Sequence, residues 1–266
     1  RGAASEPGWA RQMSDSVGAD HELRSARHTI VLKSCETPIY STVRILITNE
    51  GNFRPITHLD LSKTAIGPPG ASSLAKVLGS CRSLKGLNLS GCQIKSEGAR
   101  RIQAGLLACS SLVKLNLRDN RIRPYGAEMI AEILSSCESL ENMDLSCNII
   151  GDAGVMQLAR ELPKCVSVKV LNLASNGIGH GGAFSVARIL HKCPHLGILD
   201  LNNNRLGDAG AFFLTFGLKQ PCTSLHRLDL SVNNISTHRQ KMLTQDVLSQ
   251  YPNLPMDKLI LRRPTS

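Results

Sequence analysis

The sequence predicts an α/β solenoid, in which short parallel strands line the concave side of a right-handed, horseshoe-shaped array and helices line the convex side. Three observations predict this fold. A short apolar phrase recurs seven times at spacings of 28 or 29 residues. Apolar residues at helical offsets follow each copy. Aromatic residues make up only 3% of the 266 residues, so Leu, Ile, Val, Ala and Cys must fill the core, which suits regular stacked layers.

Each copy of the phrase alternates apolar, polar and apolar residues, which is typical of a short strand with one inward face. The copies begin at Leu59, Leu87, Leu115, Met143, Leu171, Leu199 and Leu228. When these residues are numbered as position 4 of each repeat, position 9 is Asn in the last five repeats. It is Thr64 and Cys92 in the first two. An amide at this point can bond backbone groups that the strand ladder leaves unpaired, and stacked Asn residues would repeat that bond.

The second half of each repeat has the spacing of a buried helix face. In the first repeat, Ala71, Leu74 and Leu78 occupy positions 16, 19 and 23, and later repeats keep small or apolar residues there. Position 15 is glycine in six copies: Gly70, Gly98, Gly126, Gly154, Gly182 and Gly210. Strands stack about 4.8 Å apart and helices about 9–10 Å apart. The helical side must therefore be longer, which predicts the curvature.

Two runs of ten residues carry a resemblance to a known group. They are residues 145–154, LSCNIIGDAG, and residues 201–210, LNNNRLGDAG. Both are similar to the repeat of the ribonuclease-inhibitor-like subfamily of leucine-rich-repeat proteins, which includes Ran GTPase-activating proteins, the sensor regions of NOD-like receptors and ciliary proteins. The resemblance covers about residues 56–250. It implies a protein-binding concave face, although a fold alone does not settle function.

The domain organisation follows from the repeats. We expect residues 1–19 to be a disordered N-terminal lead-in. We expect residues 20–55 to form an N-terminal cap with a helix over 20–35 and a strand over 43–47. Seven repeats occupy 56–250, and 251–266 hold a last edge strand and a tail. Charged residues and Pro264 flank that strand, which discourages further pairing. We expect eight or nine parallel strands in total.

The cysteine pattern bears on metal binding and compartment. Six of the nine cysteines share one register: Cys81, Cys109, Cys137, Cys165, Cys193 and Cys222. They lack the close spacing of metal ligands, so we interpret them as buried apolar side chains. Cys92 and Cys147 stand at strand ends, where we expect partial exposure. Unpaired thiols indicate a reducing intracellular compartment, the cytoplasm first, with ciliary, cytoskeletal or mitochondrial sites as alternatives.

No catalytic constellation accompanies the repeats. The sequence has no P-loop, no nucleophile elbow and no His-Glu-x-x-His, and its eight histidines are scattered. No apolar run is long enough to span a membrane. We therefore expect a non-enzymatic protein without a metal, cofactor or small-molecule substrate.

Outward-facing strand positions are the candidates for contact with a partner. The concave set is His58, Lys63, Lys85, Lys114, Arg118, Glu141, Asp144, Lys169, Asp200, Asn202, Arg227 and Asp229. A second set, a basic outer rim, is Arg100, Arg101, Arg121 and Arg123. Lys and Arg dominate the early repeats, while Asp and Glu are more frequent among the later candidates. The chain as a whole carries a formal net charge of +10.

Three functions compete on these observations. The first is a protein-binding scaffold or a structural subunit of a larger intracellular assembly. The second, implied by the resemblance, is a Ran-type GTPase activator acting through Arg118 and Arg121, although those activators often carry acidic tails and Arg262 and Arg263 make this tail basic. The third is an adaptor for RNA or an anionic surface. The sequence does not offer the aromatic stacking platform of RNA-binding folds.

Overall fold

A computed structural model describes residues 29–31, 56–134, 136–218, 224–250 and 259–261. Within these ranges, nine strands pair in parallel and in chain order into one sheet. The strands are β1 Thr29–Val31, β2 His58–Asp60, β3 Gly86–Asn88, β4 Lys114–Asn116, β5 Asn142–Asp144, β6 Val170–Asn172, β7 Ile198–Asp200, β8 Arg227–Asp229 and β9 Leu259–Ile260. The α/β solenoid that the sequence predicts is confirmed.

A helix follows each strand from β2 to β8 and packs against the helices of the neighbouring coils. The helices are α1 Gly67–Leu78, α2 Lys95–Leu107, α3 Arg123–Ile133, α4 Gly151–Glu161, α5 His180–Lys192, α6 Gly207–Leu218 and α7 Thr237–Gln250. A 3₁₀ turn, Leu162–Lys164, continues α4. In α1 and α3, proline lies within the first turn, where its missing N–H leaves no helical bond unmade. No helix in the described ranges is long and apolar enough to cross a membrane.

The core consists of columns of equivalent side chains from successive repeats. Leu59 pairs with Leu87, and Leu87 with Leu115, so the repeat spacing sets the register of the sheet. On the helix side, Leu74 and Leu78 are completely buried. Full burial of each such side chain stabilises the fold by about 2 kcal/mol, and no coil could achieve that burial without its neighbours.

The position-15 glycines allow the start of each helix to pack closely. A Cβ built on Gly126 would lie 2.7 Å from Cγ2 of Ile122 and 3.0 Å from Cα of Ser96 in the preceding coil. Both approaches are closer than nearly all Cβ contacts in proteins, so a larger residue would push apart Ile122 and the preceding coil, and glycine favours this packing. The sequence interpretation of these glycines is confirmed at this repeat.

The beginning of the array differs from the expected cap. Thr29–Val31 is a strand that pairs in parallel with β2, so the predicted helix over 20–35 is wrong at these residues. Thr, Ile and Val are β-branched, which favours the strand. In the sequence, Ile30, Leu32 and Cys35 also have the spacing of Leu87, Leu89 and Cys92. The predicted strand over 43–47 lies outside the described residues.

The buried cysteines behave as apolar side chains. Cys81, Cys92, Cys109, Cys137, Cys165 and Cys193 are all buried, and Cys222 lies outside the described residues. The expected partial exposure of Cys92 is wrong, because its thiol lies under the turn and donates to the carbonyl of Leu61 at 3.0 Å. Cys147 is half-buried, as expected. Burial raises the pKa of the Cys92 and Cys109 thiols to about 12 and that of Cys137 to about 11.

These raised pKa values predict a pattern of alkylation. Because the thiolate is the reacting species, iodoacetamide should leave Cys92, Cys109 and Cys137 unmodified in the folded chain and modify them in denaturant. Cys147 is the internal control and should react before these three buried cysteines, since its side chain is partly exposed. Peptide mass spectrometry over a time course measures both rates. Native modification of Cys109 at the rate of Cys147 would contradict the packing described here.

Candidate functional site

A buried ladder of asparagines holds the turns on which the exposed candidates stand. Asn148 is completely buried, and its Oδ1 accepts from the backbone N–H groups of Asn120 at 2.9 Å and Ile122 at 3.2 Å. Its Nδ2 donates to the carbonyls of Leu117 and Leu145 at 2.9 and 3.0 Å. Asn120, Asn176 and Asn204 repeat these bonds between their own coils. The predicted role of position 9 is therefore present in the structure.

The turn that follows each strand places side chains on one edge of the array, where strands lead into helices. Positions 8 and 12 of the first three repeats, and position 10 of the second and third, adopt left-handed backbone conformations, for example Lys63 with φ 59°, Lys95 with φ 59° and Arg121 with φ 54°. Residues other than glycine rarely adopt this conformation, and it persists here because the asparagine ladder and the backbone bonds between coils hold the turn.

Seven exposed cations collect on the concave strands and turns of the first three repeats, and we call them the basic edge. They are Lys63, Lys85, Lys95, Lys114, Arg118, Arg121 and Arg123. None of them forms an ion pair with a carboxylate of the described residues, whose ion pairs lie elsewhere. Arg118 does donate to the hydroxyl of Ser146 at 3.2 Å. The basic edge therefore presents seven cations without a direct ion pair to a described carboxylate, although Asp119 is exposed on the same turn and Asp144 acts on Arg118 at longer range.

His58 lies within the same group of charges. A Cβ on Gly86 would lie 2.5 Å from Cδ2 of His58, so the imidazole extends across the glycine of the next strand. Burial, and then the nearby charges of Lys114 and Lys85, lower the pKa of His58. His58 is thus neutral at pH 7 and adds a hydrogen-bonding ring, but no charge, to this surface.

The later concave candidates are largely engaged with one another. Lys169 and Glu141 form a salt bridge of 2.6 Å across neighbouring coils, and both are partly exposed. Asn202 donates to the carbonyl of Ser231 at 3.2 Å, and Asp229 accepts from the hydroxyl of Ser231 at 2.6 Å. Arg227 is half-buried. Glu141 of the predicted acidic stretch is therefore paired with Lys169, and Asp229 is hydrogen-bonded within its own turn.

Asp144 and Asp200 are corrections to the predicted concave site. Their side chains are only 3% and 6% exposed, so neither carboxylate can meet a partner directly. Each folds back onto the turn after its own strand: Asp144 accepts from the N–H and hydroxyl of Ser146 at 2.9 and 2.7 Å, and Asp200 from the N–H of Asn202 at 2.8 Å. Asn172 makes the same bond to Ala174, which shows that position 5 has a structural role in these repeats.

The buried carboxylate of Asp200 predicts a pH-dependent stability. Burial, followed by the charges of Asp229 and Asp144, raises the pKa of Asp200 to about 6, against the partial opposition of the Asn202 N–H. The unfolded chain releases this proton near pH 4, whereas the folded chain holds it to about pH 6. Between these pH values the folded state binds more protons than the unfolded state. The contribution of Asp200 to the free energy of unfolding therefore falls as pH rises.

Asp200→Asn should therefore stabilise the chain at pH 7 by about 2 kcal/mol, with no gain at pH 4. The asparagine amide oxygen can accept the same bond, as Asn172 does, but the Nδ2 of Asn172 is buried without a partner. Such an unpaired amide costs about 1 kcal/mol, which reduces the gain of about 3 kcal/mol that the shifted pKa implies. Urea unfolding at the two pH values measures the difference. Asp208→Asn is the control of opposite sign, because hydrogen bonds from Ser236 lower the pKa of that exposed carboxyl. Equal effects of Asp200→Asn at both pH values would contradict the assignment.

The predicted outer rim lies on two neighbouring repeats. Arg100 and Arg101 lie on the outer side of α2, and both bond the carboxylate of Glu97. Arg101 also donates to the hydroxyl of Ser72 at 2.8 Å. Arg121 lies on the turn between β4 and α3, Arg123 is the first residue of α3, and both belong to the basic edge. Arg100 also interacts electrostatically with Tyr125, two residues after Arg123, so the predicted rim spans the first turns of neighbouring helices, and its contact with a partner stays a prediction.

Sequence reasoning missed Lys95 among the candidates. It stands at position 12 of the second repeat, the turn position that Arg123 occupies in the third, and it is exposed. Comparison of equivalent turn positions between repeats could have found it. Within the described ranges, no cluster of three or more His, Cys, Asp or Glu side chains could hold a metal ion.

Comparisons with known proteins agree with this architecture. The family described as "Leucine Rich repeat" matches residues 54–75, 80–102, 108–131, 136–159, 164–187 and 192–214, which is more than half of the chain. The fold is similar to internalin C2 of Listeria monocytogenes, with a TM-score of 0.52 and 15% identity over 91% of this chain and 82% of that chain. A structure titled "Leiomodin-1 Actin-Binding Site 2" gives a TM-score of 0.47 and 17% identity, over 59% of this chain and 89% of that one. Comparison with curated proteins finds no match.

Proposed function

Since the chain belongs to the leucine-rich-repeat family, we propose that it is a non-enzymatic scaffold that binds an acidic surface of a partner protein through the basic edge. One observation carries the proposal: seven exposed cations in three adjacent repeats have no ion pair with a described carboxylate. Proteins of this fold generally bind other proteins, and a surface that already pairs its own charges would offer less to such a partner.

The backbone makes this surface suitable for rapid and specific binding. Neighbouring strands lie about 4.8 Å apart, so cations from three coils fall within a strip about 10–15 Å long. The sheet and the asparagine ladder hold the backbone of these residues, so binding costs little further main-chain conformational entropy. A concentrated positive field increases the rate at which an acidic partner associates and discriminates against basic ones.

Two finer assignments are part of the proposal. We place the chain in the ribonuclease-inhibitor-like subfamily, which the two GDAG runs at 151–154 and 207–210 support. We also assign it to a reducing intracellular compartment, where it would be a subunit of a larger assembly. The seven free cysteines among the described residues, six of them buried and too well protected to exchange readily, support that compartment.

A matched pair of charge reversals tests the basic edge. Arg121→Glu and Arg205→Glu change exposed arginines at the same turn position of the third and sixth repeats, so only the first alters the basic edge. In quantitative affinity purification, wild type and Arg205→Glu should retain the same amount of a partner protein. Arg121→Glu should retain at least about threefold less of it. The retained protein should also dissociate in about 0.5 M salt, which screens exposed charges.

Three results would overturn the proposal. Equal retention by both variants would remove the basic edge from the interaction. Loss of retention after ribonuclease treatment would identify RNA as the ligand. Faster GTP hydrolysis by a Ran-type GTPase in the presence of the chain, and its loss with Arg121→Glu, would make the protein a GTPase activator.

A further inference from the structure

The convex face has a polar half and an apolar half. Position 17 is an outward-facing helix position, and the first three repeats place Ser72, Arg100 and Glu128 there. The next three place large apolar side chains at the same position: Met156, Phe184 and Phe212. These three are 46%, 57% and 44% exposed, respectively. An exposed apolar stripe across adjacent helices is unusual for a solvated surface and indicates a binding site.

The stripe leads into a groove between α5 and α6, which we call the aromatic groove. It has a volume of about 370 Å³, and five of its lining residues are Phe184, Ala187, Phe213, Phe216 and Gly217. The rings of Phe184 and Phe213, which line the groove, pack edge-to-face with 6.1 Å between their centroids, so each ring restricts the orientation of the other. This packing gives the groove a defined shape.

Gly217 forms the floor of the groove. A Cβ on Gly217 would lie 2.6 Å from both Cα and the carbonyl oxygen of Ala187, so the two helices are in backbone contact at this point. The groove is therefore open above a floor without large side chains, while Phe184 and Phe216, 57% and 52% exposed, extend at its sides. This shape accommodates a row of apolar side chains from another element.

The rim of the aromatic groove is basic. Arg188 and His191 line it, and the exposed Lys192 follows them on α5, a helix with no acidic residue. On the neighbouring coil, the guanidinium of Arg239 lies 5.5 Å from the ring centroid of Phe212. The one acidic residue of α6, Asp208, is at its first turn and bonds Ser236. The charge around the apolar floor is therefore positive.

We propose that the aromatic groove binds an amphipathic helix of a partner protein, whose apolar face carries large side chains and whose flanks are acidic. A third helix can pack into the groove between two parallel helices. Burying the exposed rings supplies the affinity, and the basic rim supplies the preference for acidic flanks. A second copy of this chain fits poorly, because its own basic rim would meet the same charges. This site lies on the opposite side of the array from the basic edge.

Two synthetic helical peptides of about 18 residues, or five turns, test the proposal with the full chain. Both carry the same stripe of Leu, Phe and Trp, and the polar face is rich in Glu in one and in Lys in the other. Fluorescence anisotropy should show binding of the Glu peptide and at least about tenfold weaker binding of the Lys peptide. Arg188→Glu should reduce this preference by at least about tenfold.

Substitutions on the groove locate the site. Phe184→Ser and Phe216→Ser should each weaken binding of the Glu peptide at least about tenfold. Tyr125→Ser is the matched control, because Tyr125 is an exposed aromatic residue on α3, 50% exposed and outside the groove, and it should leave binding unchanged. All three side chains are about half exposed, so thermal unfolding should remain close to that of the wild type.

Several outcomes would overturn the inference. Absence of binding, or equal binding of the Glu and Lys peptides, would remove the proposed partner chemistry. Self-association that Phe184→Ser abolishes would make a second copy the occupant. Binding of phosphatidylserine vesicles that Phe184→Ser abolishes, without binding of the Glu peptide, would make it a membrane surface. Arg121→Glu should leave peptide binding unchanged, which separates this test from that of the basic edge.

Discussion

Replacing Asn148 with alanine is expected to lower the free energy of unfolding by about 3–4 kcal/mol. Asn148 is completely buried and bonds backbone groups of its own coil and of the preceding one. Alanine leaves the N–H groups of Asn120 and Ile122 without this acceptor in an interior that excludes water. Each such buried group costs about 1–3 kcal/mol when it is left unpaired. Chemical unfolding monitored by circular dichroism measures the loss.

The chain itself provides a control for the asparagine prediction. Cys92 occupies the equivalent position in the second repeat, and its thiol donates to the carbonyl of Leu61 as an asparagine amide would. Asn148→Cys keeps a weak donor but loses the acceptor, so its destabilisation should be smaller than that of Asn148→Ala. An alanine variant as stable as the wild type would show that water replaces the ladder, contrary to its complete burial.

Gly105→Val should destabilise the fold by about 3 kcal/mol. Gly105 lies on α2 where that helix crosses α1, and a Cβ there would lie 2.5 Å from the carbonyl oxygen and 2.8 Å from Cα of Ala75. Both obstacles are backbone atoms, so no side-chain rotation can relieve the contact. The two helices must separate, which loosens the packing around Leu74 and Leu106 in the core. Thermal or urea unfolding measures the effect.

Gly79→Ala is the matched control for this clash. Gly79 ends α1 with φ −57°, and a Cβ there would meet no atom closer than 3.5 Å. Alanine is free to adopt this conformation, so the variant should be neutral or more stable by about 0.4–1 kcal/mol. If Gly105→Val and Gly79→Ala have similar effects, the helix contact at Ala75 is not as close as the structure describes.

The strand register was predictable because it depends only on the repeat spacing. Leu59, Leu87 and Leu115 pair in the sheet because identical coils bury identical faces against one another. The asparagine position was predictable for a related reason, since a buried amide is tolerated only where it bonds backbone groups. These predictions required a period and a polarity pattern, and no three-dimensional distances.

The predicted site was less accurate, because exposure depends on neighbouring coils. Asp144 and Asp200 alternate with leucines, which predicts an outward direction, yet both bend back to bond the turn and are buried. The aromatic groove went unpredicted because Phe184 and Phe212 were not compared at their shared helix position.

The chain-order pairing of the strands also determines how the protein should respond to force. Within the described residues, each strand pairs only with the strands immediately before and after it, so tension applied along the array loads these contacts in series. Stretching should therefore detach one coil at a time, producing a sawtooth of small steps of roughly 28 residues rather than a single rupture. The coils at the two ends of the described sheet, whose strands β1 and β9 each pair with one other described strand, should detach first, and a ligand bound across several coils would raise the force at which they separate.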